Sequence, residues 1–327
     1  MTSLILATSD LASYRLRQAG RADIVVGLRP RFVWGPMPSS AELTRLLAAR
    51  SASHADFDTH WLDFASARWL GSIGNDVGLV ELCERCDGIE VWADPQPNDQ
   101  LVLFWLLDVL RPHRHIVSKL SLVQTDVEIA RYPGKNSAKW RLPALAVTDD
   151  RLELAARAWN AYRARTPEPC FDLLMHDLSA IPQLRAALIA LLEELPGRES
   201  GLGATELRML ELVAEGETKP GVLSSELNRE RGVFDFQEAD LMLDGLAYCR
   251  SPVLAGLPTA RAGADDWKAH QERMFSRLSV TDFGQEVLDG ELDFSQYNPI
   301  HRWWGGTELT NERLWRWDAE SRTLIVP

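Results

Sequence analysis

No apolar run in these 327 residues approaches the ~20 needed to cross a bilayer, which excludes a transmembrane helix within them. The opening MTSLILATSDLAS lacks the basic flank and small-residue cleavage site of a secretory signal, so a cytoplasmic protein is expected. Cysteine is scarce. Cys83, Cys86, Cys170 and Cys249 are too few to form a disulfide framework in a chain this long. Cys83-Glu-Arg-Cys86 is a lone C-x-x-C, expected mid-helix as structural thiols. No Gly-rich phosphate loop of either standard spacing is present. Nor is there a G-x-S-x-G nucleophile elbow or an H-E-x-x-H zinc pair, so no motif names a cofactor or a metal. Basic charge is lacking too: the net charge is −12.

That charge is unevenly spread. Residues 1–147 carry 16 Lys+Arg and 16 Asp+Glu, whereas residues 148–327 carry 19 and 31. The length implies two domains, and the asymmetry puts the boundary near residue 147.

The first part has short apolar runs separated by helical patterns. LILAT at 4–8, DIVVGL at 23–28, IEVWAD at 89–94 and IVSKLSLVQ at 116–124 read as strands. Helices are expected after Asp10, from a cap at Ser40, and over LVLFWLLDVL. Alternating strand and helix implies a parallel sheet with right-handed crossovers. Residues 1–147 are therefore read as a Rossmann-like α/β domain. It has a helical insertion over about 40–86 and a linker over 127–147.

The second part is mainly helical. Helices are expected around Leu152–Tyr162 and Leu184–Leu195, then from a Thr205 cap, over 222–228, and over Ala239–Leu246. A strand at Leu278–Thr281 and a helix stopped by Gly290 complete a winged-helix outline over 148–327. Last comes a Trp-rich β-hairpin turning at Gly305-Gly306, with strands around Trp303 and Trp315.

These residues resemble a bacterial family known only as domain of unknown function 1835, with its associated C-terminal region. The likeness rests on Gly35-Pro36, Trp61, EVW at 90–92 and NDQLVLFWLL at 98–107. It continues through LPGRESGLGATELRMLELVAEG at 195–216, LSVTDFGQEVLDGELDF at 278–294, and IHRWWGGTEL at 300–309 with WRWD at 315–318. ILATSD stands where many members carry a His- and Gly-rich first turn. The family has no established activity, so the resemblance implies an architecture and no substrate.

Ligands of open parallel sheets bind outside the carboxyl ends of the strands, where strand order reverses. Here Ser9 and Asp10 follow the first strand, while Asp94, Asn98, Asp99 and Gln100 follow the third. If those strands are neighbours, the groups converge. Free N–H groups at both helix starts would favour a phosphate or carboxylate. Ser9 and Asn98 are equally what helix N-caps look like. His60 and Asp63 offer an acid–base pair on one turn, weighed against a structural role.

The helix at 235–246 (DFQEADLMLDGL) carries four carboxylates and no cation, which argues against nucleic acid. Arg302, Trp303, Trp304 and Trp315 form either an aromatic platform for a partner or a minor core. The leading expectation is a module binding a small ligand or a protein. Its alternatives are an enzyme acting on a phosphorylated or nucleotide-like substrate at the strand ends and, against the charge, a DNA-binding regulator. Oligomeric state is left open.

Overall fold

The computed structural model describes residues 2–52, 60–65, 74, 76–131, 142–258 and 267–327. The chain is α/β and divides into two compact units. Unit 1 comprises Met1–Phe32, Met37–Arg163 and Asp172–Ala187; unit 2 comprises Val33–Pro36, Ala164–Phe171 and Leu188–Pro327.

Unit 1 is built on five strands: β1 Ser3–Ala7, β2 Ile24–Gly27, β3 Gly88–Ala93, β4 Leu120–Gln124 and β5 Leu145–Ala146. Their order is β2-β1-β3-β4-β5. The first four are parallel, and β5 closes the edge antiparallel to β4. The sheet is therefore mixed. Its fifth strand lies where a linker was expected, because Leu145 and Ala146 pair with Leu122 and Ser121.

The connecting helices follow local signals. α1 (Asp10–Gln18) is capped by Ser9, whose hydroxyl accepts from Ala12 N, and Gly20 ends it at φ +59°. α2 (Ser40–Leu46) is capped by Ser39 in a capping box with Glu42, one residue ahead of the expected Ser40. A 3-10 turn at Trp61–Phe64 precedes α3 (Leu79–Arg85). Much of the expected insertion at 40–86 lies outside the described residues.

α4 (Pro97–Leu110) is buried at every position except Asp108 and Val109, as its all-round apolar sequence requires. Residues 114–117 form a short helix, α5 (Arg114–Val117), where the strand was expected to have begun; β4 starts only at Leu120. α6 (Asp149–Tyr162), capped by Thr148, packs along α4. Phe32 sits between the two helices. Its ring lies 5.4 Å from Trp105 and 4.8 Å from Trp159, and its carbonyl accepts from the Tyr162 hydroxyl at 3.2 Å. This aromatic core holds α6 in unit 1, so the compact units do not divide at residue 147.

The division between units falls within α7 (Glu168–Leu173) and α8 (Leu184–Leu192). In unit 2, α9 (Ala204–Ala214), α10 (Pro220–Glu230) and α11 (Phe236–Ala247) pack together. A short hairpin of β6 (Leu254–Ala255) and β7 (Ser279–Val280) brackets α12 (Trp267–Met274). α13 (Asp282–Leu288) and α14 (Phe294–Tyr297) follow.

The tail holds two hairpins where one was expected. β8 (His301–Trp304) pairs with β9 (Thr307–Thr310) around Gly305-Gly306, Gly305 taking φ +53°. β10 (Arg316–Asp318) pairs with β11 (Thr323–Ile325). Trp303 thus faces Glu308, and Trp315 belongs to neither strand of that first hairpin. Among the described residues no helix is long and apolar enough to cross a membrane.

Candidate functional site

β1 is flanked by β2 on one side and β3 on the other, so the strand order reverses at β1. Ala7 lies beside Trp92 in register, and Thr8 N donates to Trp92 O at 3.0 Å. The first and third strand ends are therefore neighbours, and the end of β4 lies beside that of β3. Three segments converge at this edge: residues 8–10, 94–100 and 124–125.

Asp94 is the centre of the cluster and is 2% exposed. Its Oδ1 accepts from Ile129 N at 2.7 Å, which ties the end of β3 to the segment after β4. Burial raises its carboxyl to about 6. Ile129 N–H and the Ser9 hydroxyl oppose that rise. The Thr125 hydroxyl also favours the charged form, without a well-aligned hydrogen bond. Asp99 is buried, and its carboxyl is pushed well up, first by desolvation and then by the charge of Asp94. Arg31 pulls it back down. Asp10 is raised by burial, against its ion pair with Arg29.

Gln100 is 0% exposed and supports this arrangement. Its side-chain amide donates to Asp94 O at 2.6 Å, and its oxygen accepts from Gln124 Nε2 at 2.7 Å. Asn98 looks elsewhere. Its Oδ1 accepts from Phe32 N at 2.8 Å and its Nδ2 donates to Pro30 O at 3.1 Å. It is neither a helix cap nor a free site group; it clamps the segment after β2.

Thr8, Gln96, Gln124 and Thr125 complete the cluster. Thr8 is 2% exposed, yet Thr8 Oγ1, Gln96 Oε1 and Gln124 Oε1 have no hydrogen-bond partner in the protein. A buried polar group left without a partner costs about 1–3 kcal/mol. With the Thr125 hydroxyl, which lacks one too, four at one sheet edge are a concentrated defect unless something else engages them. Gln124-Thr125 stands directly behind the β4 apolar run, in the position that Thr8 holds behind β1. Its place at a strand end was the signal that should have singled it out.

The expected phosphate preference finds little support in this chemistry. Pro97 opens α4 without an N–H, and Asp10 and Asp99 already place carboxylates in the first turns of both helices. Among the described residues no group of three or more His, Cys, Asp or Glu is arranged to hold a metal ion.

The remaining candidates have structural partners. His60 Nε2 pairs with Ala48 O at 2.9 Å, and its Nδ1 accepts from Leu62 N at 3.2 Å. Burial lowers its pKa first, and Asp63 is engaged by Arg50. Cys83 and Cys86 are buried, and desolvation pushes Cys83 to about 12. Thr205 is not a helix cap: its hydroxyl donates to buried Glu194 at 2.7 Å.

In unit 2, Trp304 and Trp315 are buried, and Trp304 Nε1 donates to Leu191 O at 2.6 Å. That is core packing, while Trp303 is half-buried. Arg302 Nη1 donates to Glu206 at 2.7 Å, whereas its Nε and Nη2 lack partners. The four carboxylates around α11 are also engaged. Asp235 and Glu238 form a capping box, and Asp240 and Asp244 bind Arg273.

No protein-family model matches the chain, and no curated protein matches it. Among solved structures it is similar to the DNA-binding, cleavage and re-ligation domain of topoisomerase II from Plasmodium falciparum. Identity is 10% and the TM-score 0.36; the match covers 96% of this chain and 51% of the other. The chain thus spans about half the length of that structure. A likeness so loose carries no argument about function.

Proposed function

We propose that this chain is a small-ligand-binding protein whose site is the crevice at the carboxyl ends of β1, β3 and β4. In this reading unit 1 is Rossmann-like, in keeping with the parallel order β2-β1-β3-β4. The resemblance to domain of unknown function 1835 belongs to the same proposal. So does a winged helix in unit 2, supported by the order of α9, α10, α11, the β6–β7 hairpin and α13. The acidic unit 2 then serves protein contacts.

One observation carries the reading: unpartnered Thr8 Oγ1, Gln96 Oε1 and Gln124 Oε1 belong to residues at or just past the carboxyl ends of β1, β3 and β4, beside the reversal of strand order. The two amide oxygens accept only, and the carboxylates of Asp10 and Asp94 accept as well. The matching ligand brings donors, as the hydroxyls of a ribose or polyol or an amino group do.

A thermal-shift screen of nucleosides, polyols and amines, each beside its phosphorylated counterpart, tests this. A ligand at a hundred times its dissociation constant adds about 2.7 kcal/mol. The expected result is a shift with an unphosphorylated compound that disappears in Thr8→Val and Gln124→Met. Shifts unchanged in both variants place binding elsewhere. Shifts confined to phosphorylated compounds overturn the donor argument.

A second reading, an enzyme at the same edge, is favoured by Asp94 and Asp99. Both are raised, Asp94 to about 6 and Asp99 well above its usual range, the pattern of an acid–base pair. It predicts conversion of the bound compound, read by NMR, that Asp99→Asn abolishes while binding persists.

A further inference from the structure

Unit 1 contains a second recess, away from the strand ends. α2, α3, α4 and α6 border a partly open cavity of about 550 Å³. That volume lies within the ~300–1,000 Å³ range of small-molecule sites. Leu43, Leu47, Val80, Val109, Trp105 and Trp159 supply apolar wall.

Two observations make this more than an apolar gap. Trp105 is 1% exposed and lines the cavity, and its indole N–H has no hydrogen-bond partner. A buried indole normally finds an acceptor. The charged lining is also one-sided: Glu81, Glu84 and Asp108 stand against the single guanidinium of Arg163. Arg163 is already held, stacked 5.6 Å over the Trp159 ring and donating to Ser40 Oγ at 3.3 Å. Among the described residues the carboxylates pair with surface partners: Arg85 for Glu81, His115 for Glu84 and Arg111 for Asp108. Exposed pairs of this kind are weak and screened, so a competing cation can replace them.

We infer that this cavity binds a small amphipathic amine: an apolar, preferably aromatic body with a hydrogen-bond acceptor and a cationic end. The body packs between Trp159 and the aliphatic wall. The acceptor meets the Trp105 N–H, and the ammonium lies among Glu81, Glu84 and Asp108. The site is separate from the crevice at the strand ends, and its occupancy does not depend on that reading.

Dansylcadaverine is a suitable probe, with a naphthalene body, sulfonyl acceptors and a primary amine. Titrated with the full chain, it is expected to give saturable, blue-shifted fluorescence with a dissociation constant on the order of micromolar. Its carboxylate counterpart, dansyl-6-aminohexanoic acid, is expected to bind roughly tenfold or more weakly. Val109→Trp fills the cavity and is expected to abolish the signal, with far-UV circular dichroism confirming the fold. Thr44 lines the recess and is exposed, so Thr44→Arg adds a cation without disturbing the core. It is expected to weaken the amine and to narrow its preference over the acid. Trp105→Phe removes the donor and is expected to weaken both probes. Thr8→Val, at the other site, leaves the titration unchanged. Absence of saturable binding overturns the inference. So does equal affinity for amine and acid, or a signal indifferent to Val109→Trp and Thr44→Arg.

Discussion

In unit 2, Glu194 is 8% exposed and both its oxygens are engaged. Oε1 accepts from the Thr205 hydroxyl at 2.7 Å and from Arg231 Nη2 at 3.0 Å, and Oε2 accepts from Thr205 N at 3.1 Å. Arg231 also donates from Nη2 to Glu193 and from Nε to the Thr205 hydroxyl. At the carboxyl ends of the sheet in unit 1, burial is just as deep but the pairing stops short. Asp94 and Asp99 share one desolvated edge, and Thr8, Gln96 and Gln124 each carry an oxygen with no partner. A buried polar network that is complete rigidifies a fold; one left open raises energy until a further group closes it. The contrast separates a cluster that serves the fold from a cluster that serves something bound.

The largest expected effect belongs to the closed cluster. Glu194→Ala leaves the Arg231 guanidinium with Glu193 as its one charged partner among the described residues, beside the neutral Thr205 hydroxyl. Removing one member of a buried pair costs about 3–5 kcal/mol. Urea unfolding of the variant measures it. A loss below about 1 kcal/mol would put this cluster among surface ion pairs and dissolve the comparison.

Next in size is the pH response of the open cluster. The folded-state pKa of Asp94 is raised from 3.8 to about 6, so the fold favours its protonated form. Its stabilising contribution is full below the unfolded value and is lost as pH rises through the folded one. Between about pH 4 and pH 6 the fold should lose on the order of 3 kcal/mol on this account. Carboxyls held low, such as Asp318 beside Arg198, give slopes of the opposite sign, so the difference between two proteins is the proper readout. Asp94→Asn keeps an oxygen for Ile129 N–H and removes the charge. Stability of wild type minus that of Asp94→Asn should fall with rising pH across this window. A flat difference means Asp94 is not desolvated as its position indicates.

These two clusters were unequally legible in the chain. The apolar runs exposed four strands, and Thr8-Ser9-Asp10 and Asp94 could be placed at strand ends because those ends are punctuated by polar residues. Their meeting depended on the order β2-β1-β3, a long-range fact that periodicity does not carry. β5 was hidden because two residues, Leu145 and Ala146, are too few to show alternation. Asn98 looked like a cap because caps and clamps use the same amide; only the positions of Pro30 O and Phe32 N tell them apart. The four carboxylates of 235–246 were read as unneutralised charge that argues against nucleic acid, whereas Arg273, more than twenty residues on, neutralises part of it. Glu194 was invisible for the same reason. Its partner is Arg231, and nothing local marks a carboxylate that a distant guanidinium will meet.

The smallest effects give the finest test, because two threonines can be compared under one substitution. Thr8 is 2% exposed and Thr205 3% exposed, and valine matches the shape of either. Thr205→Val removes a hydroxyl that donates to Glu194 and accepts from Arg231 Nε at 3.2 Å. It leaves charged groups short of a partner and should cost about 1–3 kcal/mol. Thr8→Val removes a hydroxyl that has no partner to lose, while the Thr8 N to Trp92 O bond stays in place. Relief of that buried oxygen should leave stability unchanged or raise it by about 1 kcal/mol. The sign is the informative part, and paired urea titrations read it directly. Opposite signs confirm that equal burial hides unequal satisfaction, and they mark Thr8 as a group kept for a purpose outside the fold. Equal losses would mean the Thr8 hydroxyl contributes to the fold as Thr205 does, and the open cluster would have to be counted as closed.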